Sequence, residues 1–283
     1  MDNINWYPGH MKKTKEMIQE NLKLVDVILE VVDARIPISG RNPIISELIG
    51  KKDHILLVNK VDLADDHQTR LWLKYFSDQN IETLKINSRE GNGIKQLIKK
   101  LEERNMKKSR LGNNKPFRIM IVGVPNSGKS SLINRLLGKK AVAVGNIPGF
   151  TKGKQWVTLG NKMQLLDTPG ILWPKFEDPK VGLNLAFCGS IKDEIMDIAD
   201  LSLELVKVLS QEYPDELIRR YGIEELSDTP LITMESIAEK RGLILPGKRI
   251  DYERTGRMLM DEFRSGKIGR ITLEHIESGE NNE

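Results

Sequence analysis

Asn59-Lys60-Val61-Asp62 and Gly123-Val124-Pro125-Asn126-Ser127-Gly128-Lys129-Ser130 are the two stretches on which the reading of this chain turns. The second is a complete GxxxxGKS phosphate loop, with the apolar run 117–122 before it and a helical pattern over 129–137 after it. Backbone N–H groups of such a loop wrap phosphates, helped by the positive end of the following helix. Asn126, Ser127, Gly128, Lys129, Ser130 and Ser131 are its candidate nucleotide contacts. Lys129 is expected to reach the β- and γ-phosphates, and the Ser130 hydroxyl to ligate Mg²⁺. The first stretch follows the apolar run 54–58 and selects the base. Asp62, when ionised, only accepts hydrogen bonds. Guanine offers it N1–H and an exocyclic amine; adenine cannot match that pair. An unpaired buried acceptor costs about 1–3 kcal/mol, so strong discrimination against adenine is expected. Asn59 is expected to brace the loop and approach N7, and the Lys60 stem to pack over the base. Ser88 ends a strand over 83–87 and offers a backbone N–H for guanine O6.

A third motif, Asp167-Thr168-Pro169-Gly170, follows the apolar stretch 163–166. Asp167 is expected to hold a Mg²⁺-bound water, and the Gly170 N–H to sense the γ-phosphate. Thr151, within Gly149-Phe150-Thr151-Lys152-Gly153, is the candidate switch threonine that closes on Mg²⁺ with GTP bound. Thr158 and Thr168 are less well placed. GTP/GDP and Mg²⁺ are therefore the expected ligands. An ordinary small GTPase presents its phosphate loop first and its guanine motif later. Here the order is reversed, and the chain looks like a circularly permuted P-loop GTPase. The segment after Gly170 then runs directly into the C-terminal region, which makes 171–182 the expected transmission element and rigid-body movement of 181–283 the expected response.

The remaining pattern supports an α/β fold with a doubly wound, mostly parallel sheet. Strands are expected at 25–32, 54–58, 83–87, 117–122, 154–159 and 163–167. Helices are expected near 10–22, 42–49, 65–77, 93–104 and 129–137, with 105–115 as a basic linker. After about residue 180 the pattern turns helical: Leu201, Leu205, Val208 and Leu209 share a face, Pro214 starts a new element and Gly222 stops it. The chain therefore divides into a GTPase domain, 1–180, and a smaller C-terminal all-helical domain, 181–283.

Composition narrows the class. The 283 residues are 39% hydrophobic and 30% charged, as in soluble globular chains. Aromatics at 5% advertise no base-stacking surface. A formal charge of +4 permits an anionic partner without demanding one. Lys99, Lys100, Arg104, Lys107, Lys108, Arg110 and Lys115 form a basic stretch, read either as a solvated helix face with a tether or as a contact for nucleic-acid phosphates. Cys188 is the sole cysteine, which excludes an intrachain disulfide. No apolar run reaches spanning length and the start lacks signal-peptide form, so integral membrane association is not expected and a cytoplasmic location is.

The chain resembles the circularly permuted ribosome-assembly GTPases of the bacterial RbgA/YlqF type. The resemblance rests on Trp6-Tyr7-Pro8-Gly9-His10-Met11, Asp33-Ala34-Arg35-Ile36-Pro37 and the three motifs above, in the family's order. It implies a role in late assembly of the large (50S) ribosomal subunit, with that subunit or its precursor, including ribosomal RNA, as partner. It also implies a GTPase that is slow alone and stimulated by that subunit. Ile171 stands where many GTPases carry a water-orienting glutamine. The resemblance implies two substitutes. Asn126 occupies the position that helps bind K⁺ in K⁺-dependent GTPases; otherwise it is an asparagine bonding within its loop. His10 is the family's candidate for placing water; otherwise it is a surface or capping histidine. The competing readings are an RNA-binding assembly scaffold with incidental GTP hydrolysis and a peripheral membrane-associated GTPase. His10, His54, His67 and His275 show no zinc-site spacing.

Overall fold

Seven consecutive buried residues place β1 (Val27–Asp33) at the centre of the sheet. The structure is a computed structural model that describes residues 16, 18–50, 52–113, 115–138, 155–160, 162–167, 170, 172, 176 and 178–277. Val27, Leu29 and Val31 face α4 (Ile94–Arg110) and α5 (Lys129–Leu136), meeting Leu97, Leu101, Leu132 and Ile133. Ile28 faces the other layer, where α1 (described at 16 and 18–22) and α2 (Pro43–Ile49) supply Ile18, Leu22, Ile45 and Ile49. Val32 joins Trp72 and Phe76 of α3 (Asp66–Asp78). A strand covered by helices on both faces must be apolar at consecutive positions, which is why this segment does not alternate.

The six strands are β1, β2 (Asp53–Asn59), β3 (Thr83–Lys85), β4 (Phe117–Val122), β5 (Gln155–Leu159) and β6 (Met163–Asp167), in spatial order β3-β2-β1-β4-β6-β5. Every neighbouring pair is parallel except β5–β6. The chain steps from β1 outward to β3, then returns to place β4 on the opposite side of β1. That reversal opens a crevice at the carboxyl ends of β1 and β4, where sheets of this kind hold ligands. This is the α/β architecture expected from the motifs.

After β6 come α6 (Pro179–Phe187), a 3₁₀ turn (Asp193–Ile195), α7 (Ile198–Glu212), α8 (Pro214–Tyr221), α9 (Pro230–Lys240) and α10 (Tyr252–Arg264). Asp197 caps α7 through the N–H groups of Ala199 and Asp200. Leu201, Leu205, Val206 and Leu209 pack with Leu217, Met234, Ile237, Leu259 and Phe263. The same core takes in Ile36 and Val124, so it abuts the ends of β1 and β4. A short antiparallel pair, β7 (Ile244–Leu245) with β8 (Arg249–Ile250), lies between α9 and α10 and was not visible as periodicity.

Two boundaries differ from the sequence reading. α4 continues to Arg110, through part of the expected linker. Lys107, Lys108 and Arg110 complement the negative end of the helix dipole. Lys108 Nζ is also anchored to Asp26 Oδ2 at 2.8 Å and to the Pro116 carbonyl at 3.0 Å. Lys100 and Arg104 pair with Glu82, and Arg104 also with Asp53, so part of the basic stretch is engaged within the fold. Lys99, Lys107, Arg110 and Lys115 remain exposed. The strand expected at 83–87 ends at Lys85, because Asn87 bridges Asn92 and turns the chain.

Mid-strand Glu30 is 1% exposed, with Arg41 donating to both its carboxylate oxygens at 3.2 and 3.1 Å. His54 Nε2 lies 3.0 Å from Oε2. Burial alone would raise this carboxyl, but His54 and Arg41 hold it below the usual range. Arg41→Ala should therefore destabilise the protein by about 3 kcal/mol at neutral pH. The deficit should shrink below about pH 5, where a proton replaces the lost partner; urea titrations at both pH values check this.

Candidate nucleotide-binding site

Asn59 is the last residue of β2 and has no solvent exposure. Its Nδ2 donates to the Ser127 carbonyl at 2.8 Å, and its Oδ1 accepts the Ser88 N–H at 3.0 Å. One amide thus joins the base-motif strand, the phosphate loop and the Ser88 turn. The junction requires glycine at position 128: a Cβ there would lie 2.1 Å from Asn59 Nδ2, and φ is +102°. From α5, Arg135 donates to the carbonyls of Ser88 and Arg89, which supports the same turn.

The phosphate loop leaves β4 at Gly123 and enters α5 at Lys129. Asn126, at φ 58°, and Gly128 supply the left-handed conformations that curl it. Lys129 Nζ folds back to the carbonyls of Gly123 and Val124 at 3.2 and 2.8 Å. Ser127 Oγ is buried without a hydrogen-bond partner among the described residues. Ser130 and Ser131 lie in the first turn of α5, where helix N–H groups lack intrahelical acceptors. Gly170 lies against the loop: a Cβ would sit 2.7 Å from the Pro125 backbone and 2.9 Å from Lys129 Nζ. A buried ammonium at the start of a helix, whose first-turn N–H groups point outward along the axis, suits an anionic group.

On the base side, Lys60 adopts φ 61° and its Nζ reaches Asp33 Oδ2 at 2.9 Å. Asp62 is exposed at the loop tip. Asp33 is also paired by Arg35, at 3.0 Å from Nε and 2.8 Å from an NH2 nitrogen. Burial alone would raise the Asp33 carboxyl, but Arg35 and then Lys60 hold it well below the usual range. Arg35, 1% exposed, donates to the Phe263 carbonyl at 3.2 Å and lies over the Phe263 ring.

The phosphate loop also touches the helical region. Asn126 Nδ2 donates to the Gly189 carbonyl at 2.5 Å, and Ser190 Oγ to the Pro125 carbonyl at 2.8 Å. Arg264 of α10 holds the end of α6 through the carbonyls of Ala186 and Phe187, at 2.9 and 3.0 Å, while pairing with Asp193. Cys188, buried at this junction, has its thiol pushed up to about 12 by burial.

The structure brings together Asn59, Lys60, Asp62, Ser88, Asn126 to Ser131 and Gly170 at one end of the sheet. His10 and Thr151 lie outside the described residues, as do Thr168, Pro169 and Ile171. Asp167 ends β6 opposite Ile121 and Gln155, but its side chain is also outside them. Of the expected transmission element, only 172, 176 and 178–182 are described. The amide of Asn126 reaches beyond its own loop to Gly189. Sequence reading did not identify Gly189 and Ser190 as neighbours of the site, and nothing in their local pattern marks them. Asp33 and Arg35 were visible only through resemblance, although an acid closing an apolar strand is itself a signal.

Asn59→Ala would strand the Ser88 N–H and the Ser127 carbonyl, each costing about 1–3 kcal/mol if left buried. Guanine-nucleotide affinity should fall at least about tenfold, measured by titration calorimetry. The Asp33 cluster also sets an acid limit. Its folded pKa is depressed, so its stabilisation is present above the ordinary aspartate value and is lost as pH falls below that toward the depressed folded value. Asp33→Asn should flatten that part of the stability–pH curve, followed by thermal melts.

Comparison with known proteins agrees with this geometry. The family model described as "50S ribosome-binding GTPase" matches residues 118–236. Ribosome biogenesis GTPase A of Priestia megaterium is 44% identical over 277 residues, covering 96% of each chain. The GDP-bound structure of Thermotoga maritima YlqF superposes with TM-score 0.66 at 29% identity, covering 93% of this chain and 100% of that one. The GNP-bound YlqF from the same organism gives 0.63 at 30% identity, covering 93% and 98%. The reversed motif order, the sheet that gathers those motifs and this near full-length similarity agree: the chain is a GTP hydrolase and belongs to the ribosome biogenesis GTPase A (RbgA/YlqF) family.

Proposed function

We propose that this protein is a nucleotide-dependent switch in late assembly of the large ribosomal subunit, acting in the cytoplasm on that subunit or its precursor. The observation that carries the proposal is the double attachment of the phosphate loop. Asn59 ties it to the base-reading strand, and Asn126 and Pro125 tie it to Gly189 and Ser190 of the helical region. A change at the phosphates therefore has a short path to the helices. The names of the relatives, ribosome biogenesis and 50S ribosome binding, support the choice of partner. In this proposal residues 1–180 hydrolyse GTP and residues 181–283 hold ribosomal RNA. Among the described residues, no helix is long and apolar enough to cross a membrane.

The reaction is in-line attack of water on the γ-phosphate, giving GDP and phosphate. Asp62 accepts from the guanine N1–H and amine, while the Asn59–Ser88 bond keeps the Ser88 N–H turn in place. Lys129 exchanges its carbonyl acceptors for phosphate oxygens. Ser130 at the head of α5, Thr151 and Asp167 would hold Mg²⁺, and the Gly170 N–H would face the γ-phosphate. Mg²⁺ when bound offsets charge on the β- and γ-phosphates. Isoleucine at 171 cannot orient water, so His10 takes that role on the ribosomal particle. Asn126 would help hold K⁺ beside the phosphates.

Turnover should be slow alone and rise strongly with large subunits but not small ones; no rise would remove the large subunit as partner. His10→Ala should spare nucleotide binding and reduce stimulated turnover. Intrinsic turnover should be faster in KCl than in NaCl at matched ionic strength, and equal rates would exclude the K⁺ role.

A further inference from the structure

The chain beyond α10 does not trail away from the nucleotide site. Residues 266–276 cross back over the loop that carries Asp62 and the start of α3. Arg270 Nε donates to the Ala64 carbonyl at 3.0 Å, and one of its NH2 nitrogens to the Val61 carbonyl at 2.9 Å. Its guanidinium also meets both carboxylate oxygens of Asp66, at 3.2 and 3.0 Å. Ile271 N–H donates to the Leu63 carbonyl at 3.0 Å, and Asp65 N–H to Thr272 Oγ1 at 3.1 Å. Asp62 is thus flanked by gripped residues on both sides, although it is itself exposed.

The strap is fixed at its far end. Leu273 N–H donates to the Arg35 carbonyl at 2.8 Å, and Trp72 Nε1 to the Glu274 carbonyl at 2.8 Å. The Glu274 carboxylate accepts from the N–H groups of Ile38 and Ser39, at 2.6 and 2.8 Å. Tyr213, between α7 and α8, exchanges hydrogen bonds with Thr272 through its hydroxyl, at 2.9 and 3.0 Å. The strap therefore belongs equally to the helical region and to the base-reading end of the sheet.

We infer that residues 266–276 form a strap that positions the base-reading loop, with Arg270 as the positioning residue through which it sets guanine affinity. The exposed ion pair with Asp66 contributes little by itself. What matters is the fork: one planar guanidinium captures two carbonyls on either side of Asp62 and fixes their separation. Lysine, with a single nitrogen, cannot hold both in that geometry. Arg270 acts through the backbone of 61–64 on the carboxylate of Asp62, and the inference rests on the proposed role of Asp62 in binding guanine.

The test compares GDP with IDP, which lacks the exocyclic amine that Asp62 accepts from. In the full chain, Arg270→Ala should narrow the GDP-to-IDP affinity ratio by about tenfold, with a smaller loss for IDP itself. Arg270→Lys should recover only part of the ratio, and Asp66→Asn, an exposed change, should narrow it slightly. In an Asp62→Ala background, Arg270→Ala should leave the ratio where Asp62→Ala has put it. Equal losses for GDP and IDP, or an unchanged ratio, would overturn the positioning role. Should Arg270→Ala fail to fold, the lysine variant decides the matter by the same ratio. A high ratio persisting in Asp62→Ala alone would instead overturn the guanine reading of Asp62, which separates the two failures.

Discussion

The side-chain amide of Asn59 is the interaction on which the proposed nucleotide site depends. It is buried at the end of β2, where it meets an N–H from one segment and a carbonyl from another. A buried amide with both ends satisfied is geometrically demanding, and a half-satisfied one is costly. The sheet order places β1 between β2 and β4, so the two motifs are separated by one strand and must reach each other over its end. Glycine at 128 allows that approach, and Asp33 at the end of β1 fills the space beneath with an ion cluster that also holds Lys60.

Circular permutation changes what these contacts connect. The base-reading strand comes early in the chain, and the phosphate loop and the strand after it lead toward the helices. The helical region returns to the site at two places. The end of α6 meets the phosphate loop through Gly189 and Ser190, and the strap beyond α10 meets the base-reading loop. The phosphate loop and the loop that carries Asp62 are thereby each hydrogen-bonded to segments of the helical region. Arg35 reinforces the connection by joining Asp33 to the Phe263 carbonyl.

Much of this was legible in the sequence because the chemistry imposes local spacing. A phosphate loop needs glycines at fixed offsets and a lysine at the helix start, so Gly123 to Ser130 declared itself. The mostly apolar run of β1 declared a strand covered on both faces. Other features carry no local mark. Arg270 is an exposed arginine like many others, and its partners lie more than two hundred positions away. Glu30 interrupts an apolar strand, and only the fold shows Arg41 and His54 meeting it. The tail of α4 read as linker because its residues are basic, yet Lys108 finds Asp26 and the helix persists. The β7–β8 pair was too short for periodicity to reveal.

The contact between the phosphate loop and the end of α6 can be tested without disturbing the nucleotide-binding motifs themselves. Affinity for purified large ribosomal subunits would be measured with GDP and with a non-hydrolysable GTP analogue, in the unaltered protein and in Ser190→Ala. Coupling through this contact requires a clear preference between the two nucleotides in the unaltered protein, and a smaller one in Ser190→Ala at similar nucleotide affinity. Equal binding with both nucleotides would contradict the switch and leave a scaffold. A preference that Ser190→Ala does not diminish would show that the nucleotide state reaches the helices by another route.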